Sequence, residues 1–493
     1  MPRNANPPQD LLERLLEVRS SIVSQAEDTL REWRPRVRRR AFRESARNLA
    51  CYLALRSHDL RGVQEGLAPL GLSTLGRSES RVLENLDAVI VALGAILGRA
   101  PDGIERPTLA RFLRGDRALA RNTTTLLGRS QARRRVRVMV TLSSEAATDE
   151  KLVENLLVKG MNCARINCAH DEAEAWHAMI HHVRRAESKT GRRCRVLMDL
   201  GGPKLRTGAV LSGEDSPRVQ RGDAILLTRG DLALLDLDTV QVGCTLPEAL
   251  DALRVKDSVW IDDGKIGTLV ERLTPEGALL RVQHARPKGE KLKPEKGLNF
   301  PDTPLDLDPL TPKDLEDLGF IAGHADIVGY SFVQRAEHIA RLEDELRARN
   351  SDATRIGIIA KIETPLAVRN LPEMIVQAAG LHPFGVMIAR GDLAVEIGYQ
   401  RLAEIQEELL WICEAAHVPV IWATQVLEHL VKTGVPSRAE ITDAAMAGRA
   451  ECVMLNKGPY QLEAVTVLDD VLTRMQGHQS KKTAQLRALR AWS

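Results

Sequence analysis

The stretch RVLMDLGGPKLRTG, Arg195–Gly208, decides how the rest of the chain is read. An apolar β-type run ends on an acid, Asp199. Two glycines and a proline turn the chain, and Lys204 and Arg206 follow. A short aliphatic run closed by Gly and Pro reads as a buried strand. Seven more such runs occur: RVRVMVTL (135–142), CARINCA (163–169), IVGYSFV (327–333), RIGIIAKIE (355–363), GVMIARGDL (385–393), VPVIWAT (418–424) and ECVMLN (451–456). Nearly all are followed by a helical pattern. Alternating strand and helix implies a parallel sheet, and eight repeats favour a (β/α)8 TIM barrel over an open doubly wound sheet.

One connection is anomalous. After Arg195–Gly208 the chain takes a long detour before the fourth run. Residues 209–304 hold AILLTRG, SVWIDDGKIGTLVERL and ALLRVQHA, separated by Gly and Asp, which is all-β texture. This predicts a small inserted β domain that leaves the barrel at the C-terminal end of the third strand, the face where barrel active sites sit. An insertion there is placed to act as a lid. The expected division is barrel over 131–208 and 305–478, lid over 209–304 and a C-terminal tail over 479–493.

Residues 1–130 have a different texture. They hold 22 Arg, no Lys and 15 Asp plus Glu. LLERLLEVRSSIVSQAEDTLREW and VLENLDAVIVALGAIL carry helical periodicity, so an all-helical region is expected. AVIVALGAIL is far too short to span a membrane and reads as a buried helix. The basic run REWRPRVRRRAFRESAR, Arg31–Arg47, lacks the aromatic stacking set of a nucleic-acid groove and reads as a solvated helix face.

At 493 residues the chain should form two or three domains. An apolar fraction of 44% and a charged fraction of 27% are those of a soluble globular protein, and a net charge of +3 argues for no particular partner. The seven cysteines stand singly, with no CxxC pair, which points to a reduced cytoplasmic protein without structural zinc. No basic-then-apolar leader opens the sequence. Neither nucleic acid nor membrane is an expected partner.

Polar residues gather at the strand ends. Lys361 and Glu363, two apart, face one region. The next run leads into Arg390-Gly391-Asp392, which adds a second carboxylate. Two carboxylates from neighbouring strands suit Mg²⁺, which keeps positions open for substrate and water. Gly391 and Asp392 open LAVEI, whose first turn offers free amides to an anion. Thr424 ends the seventh run. Arg165 and Asn167 share a face of the second, followed by His170. A cation, a lysine, an arginine and anion-binding amides fit a small phosphorylated carboxylate and phosphoryl transfer.

Ten motifs in register resemble the pyruvate kinase family: GMNCARINCAH (160–170), MDLGGPKLRTG (198–208), VWIDDGKI (259–266), KGLNFPD (296–302), TPKDLEDLGF (311–320), SFVQRAEHI (331–339), IIAKIET (358–364), VMIARGDLAVEI (386–397), VIWATQVLEHL (420–430) and PSRAEITDAA (436–445). The resemblance covers roughly residues 135–470. It implies transfer of a phosphoryl group from phosphoenolpyruvate to ADP, giving pyruvate and ATP in glycolysis. Glu363 and Asp392 would hold Mg²⁺ (or Mn²⁺). Lys361 would neutralise the phosphoryl group in flight, and Arg165 would bind it. The amides of Gly391 and Asp392, with Thr424, would hold the substrate carboxylate, and Thr424 would lie near the carbon to be protonated. Asn167, His170, Arg206 and Lys296 would fall on the nucleotide side.

The departures are specific. K⁺-dependent members place a threonine after the aspartate of MDLGG, a serine in strand two and a glutamate where Lys204 stands. Here those positions are Leu200, Ala169 and Lys204. Lys204 would then supply the missing monovalent charge, and K⁺ would not be required. The Thr-Ile-Gly-Pro loop after strand one is Thr141-Leu142-Ser143-Ser144. Ser-Gly-Glu-Thr after strand eight is replaced within LNKGPYQLEAV (455–465). The chain stops soon after the last barrel helix, so no effector site of the family's usual C-terminal kind is expected. A dimer or tetramer is expected. Two other readings stay open: a Mg²⁺-dependent pyruvate-enolate enzyme of the aldolase or lyase type, suggested by AKIETPLAVRNLPE (360–373), and an inactive binding protein.

Overall fold

The computed structural model describes residues 7–131, 133–213, 217–230 and 239–485. Eight parallel strands close into a barrel in sequential order: β1 (Arg137–Thr141), β2 (Cys163–Asn167), β3 (Arg195–Asp199), β4 (Ile327–Tyr330), β5 (Gly357–Ile362), β6 (Phe384–Ala389), β7 (Val420–Ala423) and β8 (Cys452–Leu455). Each pairs with its neighbours and β8 returns to β1, with Arg137 opposite Cys452. The aliphatic runs are buried on both faces, as strands wrapped by helices must be. Inside, Met139, Cys163, Leu197, Ile327, Ile359, Met387, Ile421 and Met454 fill the barrel.

The sixth run is shorter than the sequence implies. Strand β6 stops at Ala389, and Arg390–Ile397 is helical. The reason is a tertiary contact: the Gly391 amide leaves the ladder and donates to Thr424 Oγ1 at 2.7 Å.

The insertion after β3 is a seven-stranded sheet with its own core, including Val219, Ile225, Val259, Ile261 and Leu280. Its first strand, Thr207–Leu211, and its last, Leu298–Asn299, are brought edge to edge by a bridge between Arg206 and Gly297. The sheet thus curls toward a small barrel, as the fold-class expectation holds.

The N-terminal residues are mainly helical: the longer helices are α1 (Pro8–Trp33), α2 (Arg43–Arg56), α3 (Val82–Ile96) and α4 (Arg114–Leu127), with the shorter helices Arg61–Leu67 and Leu109–Phe112 in the connections between them. They share one continuous apolar core with the barrel's outer layer. Helix α4 goes further. Its last residues, Leu126 and Leu127, join the cluster inside the barrel. A Cβ on Gly357 would lie 2.3 Å from Leu126 Cδ1, and one on Gly385 would lie 2.6 Å from Leu126 Cδ2. Both glycines open strands, β5 directly and β6 at its second residue, so the side chain enters from the barrel's N-terminal end.

The basic run is not one solvated helix face. Residues 34–39 are not helical and bind the barrel. Arg36 pairs with Glu373 at 2.5 Å, Trp33 Nε1 donates to the same carboxylate at 2.8 Å, and the Arg39 amide donates to the Gly380 carbonyl at 2.6 Å. At the other end, a two-residue hairpin pairs Gln479–Ser480 with Thr483–Ala484, and Lys482 forms an ion pair with Glu79 of the N-terminal region. Residues 486–493 of the expected tail lie outside the described residues.

Candidate active site

The C-terminal ends of β2 to β7 bring charged groups together. Strand β5 delivers Lys361, whose Nζ lies 3.1 Å from Glu363 Oε1 and 3.5 Å from Asp199 Oδ2, and donates to Ser331 Oγ at 2.6 Å. Ser331 in turn donates to the Leu200 carbonyl at 2.7 Å. The ammonium is therefore held from three directions. Burial works against its charge, but the Asp199 and Glu363 carboxylates outweigh burial and raise its pKa above the ordinary lysine value. Lys361 is a fixed cation at any physiological pH.

Asp199 ends β3, with Asn167 and Gly329 opposite it in register. Its Oδ2 accepts from Arg165 Nε at 2.9 Å, and Arg165 Nη1 donates to Thr141 Oγ1 at 3.1 Å. Burial would raise the Asp199 pKa, yet Lys361 and Arg165 hold it below the usual carboxylate range. Its Oδ1 is buried without a hydrogen-bond partner. A Cβ on Gly329 would lie 2.4 Å from that oxygen, so the glycine of IVGYSFV is a spatial requirement of the site.

Glu363 is 2% exposed, and its Oε2 accepts the Phe332 amide at 2.6 Å. Burial raises its pKa, against the pull of Lys361, and Asp392 raises it further. Asp392 sits in the first turn of the helix Arg390–Ile397, labelled α5, and both its oxygens contact Lys204 Nζ, at 2.8 and 3.2 Å. Each of the two expected cation ligands thus faces a lysine. Among the described residues no three His, Cys, Asp or Glu side chains converge as a metal site. A carboxylate pair fits Mg²⁺, which binds through one or two carboxylates plus substrate oxygens.

Thr424 follows β7 at φ +60°, with Gln425 at +57° and Leu427 at +49°. A β-branched residue in this region is strained and persists only when its surroundings fix it. Arg390 supplies the fixing. It lies 4.7 Å from the Trp422 ring centre, donates to the Ala423 and Thr424 carbonyls at 3.1 and 2.7 Å, and meets both oxygens of Asp443 at 2.5 and 2.9 Å.

Of the expected nucleotide-side residues, Arg206 and Lys296 lie at the lid junction, Asn167 ends β2 and His170 follows it. Asn167 Oδ1 accepts the Ala169 amide at 3.2 Å. The His170 pKa is lowered by burial, then by the nearby positive charges of Lys457 and Arg206, so these three groups share one neighbourhood. Arg206 Nη1 donates to the Glu295 carbonyl at 3.1 Å, and Lys296 pairs with Asp262 at 3.2 Å. The replaced loop after β8 is anchored by Asn456 Nδ2 to Glu428 at 3.0 Å. Gln461 ties it to β1 through the Thr141 carbonyl at 2.8 Å.

A family model described as pyruvate kinase, barrel domain, matches residues 133–465. The chain belongs to the pyruvate kinase family. It is 33% identical over 356 residues to the pyruvate kinase of Methylorubrum extorquens, covering 70% of this chain and 69% of that one. Against the pyruvate kinase of Geobacillus stearothermophilus it is 32% identical over 354 residues, 69% of this chain and 57% of that one. The Thermococcus litoralis pyruvate kinase is 31% identical over 354 residues, 70% of each chain. The chain therefore spans less than two thirds of some of the relatives it matches, and the family match begins only after the N-terminal helices.

Membership in a phosphotransferase family makes sense of the lysine and arginine beside buried carboxylates. The sequence missed Ser331, Arg390 and Asp443 as parts of this site. Ser331 and Arg390 stand inside quoted motifs, next to strand ends, which is the signal that marks them. Asp443 also stands inside a motif, PSRAEITDAA (436–445), but on the helix Arg438–Ala447 and away from any strand end, so nothing local announces its partner.

Proposed function

We propose that this protein transfers the phosphoryl group of phosphoenolpyruvate to ADP, giving pyruvate and ATP, with Mg²⁺ or Mn²⁺ and without K⁺. The observation that carries the reading is Lys361, an ammonium held between Ser331, Asp199 and Glu363 at the mouth of the barrel. A desolvated, preoriented cation of this kind stabilises the charge of a phosphoryl group in transfer.

Glu363 and Asp392 would hold the divalent cation, which supplies charge neutralisation to the substrate's carboxylate and phosphoryl oxygens when bound. Arg165, oriented by Asp199 and Thr141, binds the transferring group. The Asp392 amide, with Thr424, binds the substrate carboxylate, and the Gly391 amide, which donates to Thr424 Oγ1, fixes that hydroxyl beside it rather than meeting the carboxylate itself. Transfer leaves an enolate, whose carbon takes a proton to give pyruvate. Asn167, His170, Arg206 and Lys296 lie on the ADP side, and Lys457 adds positive charge there.

Lys204 stands in for K⁺. Its ammonium meets Asp392, so it adds one fixed positive charge to a site that has Ala169 and Leu200 in place of oxygen-bearing ligands. The test is a lactate-dehydrogenase-coupled assay with Mg²⁺, phosphoenolpyruvate and ADP in K⁺-free buffer. Turnover supports the reading, and no turnover with or without K⁺ contradicts it.

A second reading follows from the loop after β8, where Asn456 and Lys457 replace the family's hydroxyl and carboxylate. An enzyme that binds Mg²⁺ and pyruvate enolate without using ADP would exchange the methyl protons of pyruvate with D₂O and form no ATP.

A further inference from the structure

The N-terminal helices close a second cavity against the barrel, of about 510 Å³. It lies away from the active-site mouth, at the segment leading into β7. Its floor is polar and buried. Ser45 Oγ lies 2.9 Å from His417 Nδ1, and His417 Nε2 lies 3.1 Å from the Ser80 carbonyl. A carbonyl takes only a donor, so Nε2 carries the hydrogen and Ser45 donates to Nδ1. The ring is neutral, and burial lowers its pKa. The floor is thus satisfied and rigid, and packing against it demands Gly115, where a Cβ would fall 1.8 Å from the Ser80 carbonyl oxygen.

The walls are unbalanced in charge. Arg40, Arg47, Arg111, Arg114 and Arg121 line the cavity against two acids, Glu44 and Glu84. Glu84 pairs with Arg111 at 3.2 Å and Glu44 with Arg114 at 3.4 Å. Arg40, Arg47 and Arg121 carry no side-chain ion pair or hydrogen bond among the described residues. They come from three places: the turn before α2, α2 itself and α4. Three exposed arginines from separate elements line one concavity without carboxylates of their own, which suits an anion. The volume is that of a small-molecule pocket.

We propose that this cavity binds a small phosphorylated molecule, with Arg40, Arg47 and Arg121 on the phosphate and the neutral floor of Ser45 and His417 beneath it. The proposal does not rest on the activity assigned above. Phosphate suits the site because guanidinium forks match its oxygens in pairs. The ligand would also cement α2 and α4 to the barrel, since all the elements that line the cavity meet there.

The test uses the intact protein and phenylglyoxal, which modifies free guanidiniums, with peptide mass mapping. Pyrophosphate, a sugar monophosphate and inorganic phosphate are compared with chloride at equal ionic strength. The expected result is slower modification of Arg40, Arg47 and Arg121, with Arg272 of the lid unchanged. Protection by the sugar monophosphate below the inorganic phosphate concentration assigns the ligand to a phosphorylated metabolite. Equal protection assigns it to the free anion. Arg47→Glu or Arg121→Glu should weaken pyrophosphate binding about tenfold, as loss of one charge-assisted contact does. Glu84→Gln, which frees Arg111, should tighten it. Phosphoenolpyruvate binding should stay unchanged in all three variants. No protection by any phosphate, protection only by an oligonucleotide, or unchanged pyrophosphate affinity in Glu84→Gln and the arginine variants would overturn the proposal.

Discussion

Lys204 Nζ lies 2.8 and 3.2 Å from the two oxygens of Asp392, bridging the turn after β3 to the first turn of α5. One positive charge therefore comes built into the chain at the carboxylate proposed to hold the divalent cation. Removing it should lower kcat/KM in K⁺-free buffer. Lys204→Met is expected to cost about 10²-fold, the size of one preorganised electrostatic contact. Added K⁺ should not restore the loss, because Ala169 and Leu200 offer no side-chain oxygen. Full rescue by K⁺ would show that the remaining ligands suffice.

Arg390 should act through Thr424 rather than on substrate. Arg390→Lys keeps the charge but loses the fork that spans Asp443 and two carbonyls. The expected outcome is a fall of about tenfold in kcat, with a smaller change in KM. Asp443→Asn should move the same parameter in the same direction. Steady-state kinetics in both variants check it, and a pure KM effect would place Arg390 in ground-state binding instead.

The N-terminal helices should prove inseparable from the barrel. Leu126→Ala removes a side chain that fills the barrel floor and should destabilise by about 2–5 kcal/mol. Gly357→Ala drives a methyl into Leu126 and should cost about 1–3 kcal/mol. The double variant should cost less than the sum, because each change relieves the other. Denaturant titration of the four proteins measures this coupling, and strict additivity would contradict the contact.

Glu396 links the lid to α5. Its Oε1 accepts from Asn299 Nδ2 at 2.9 Å and from the Phe300 amide at 3.4 Å. Burial raises its pKa from the ordinary 4.5 to about 7. The folded protein keeps a proton in that interval that the unfolded chain has lost. This group's contribution is therefore full below about 4.5 and lost as pH rises through about 7. Glu396→Gln should flatten that part of the thermal stability profile. A profile as steep as the unmutated protein's would assign the pH dependence elsewhere.

Much of this architecture is legible in the chain because the barrel strands are aliphatic runs closed by polar residues. Lys361, Glu363 and Asp392 stand out for that reason, since an ion at the end of a buried strand has few structural explanations. The end of β6 is less legible: Ala389 to Leu393 continues a β-like pattern, and only a bond from Gly391 to Thr424, far along the chain, ends the strand. The placement of Leu126 is not legible at all. It depends on glycines at 357 and 385 that read as ordinary strand glycines until the helix is seen against them. The arginines of residues 31–47 mislead for a related reason. Composition describes their charge, but Glu373 and the Gly380 carbonyl, which take up Arg36 and the Arg39 amide, are distant in sequence.

The proposed reaction is phosphoryl transfer from phosphoenolpyruvate to ADP in a site that carries its own monovalent cation. The most direct measurement is the initial rate of pyruvate formation by the unmutated protein, with Mg²⁺ and ADP, as K⁺ is raised from zero at constant ionic strength. The predicted result is full activity without K⁺ and a flat response to its addition. A rate that is negligible without K⁺ and rises to saturation with it would show that Lys204 does not replace K⁺.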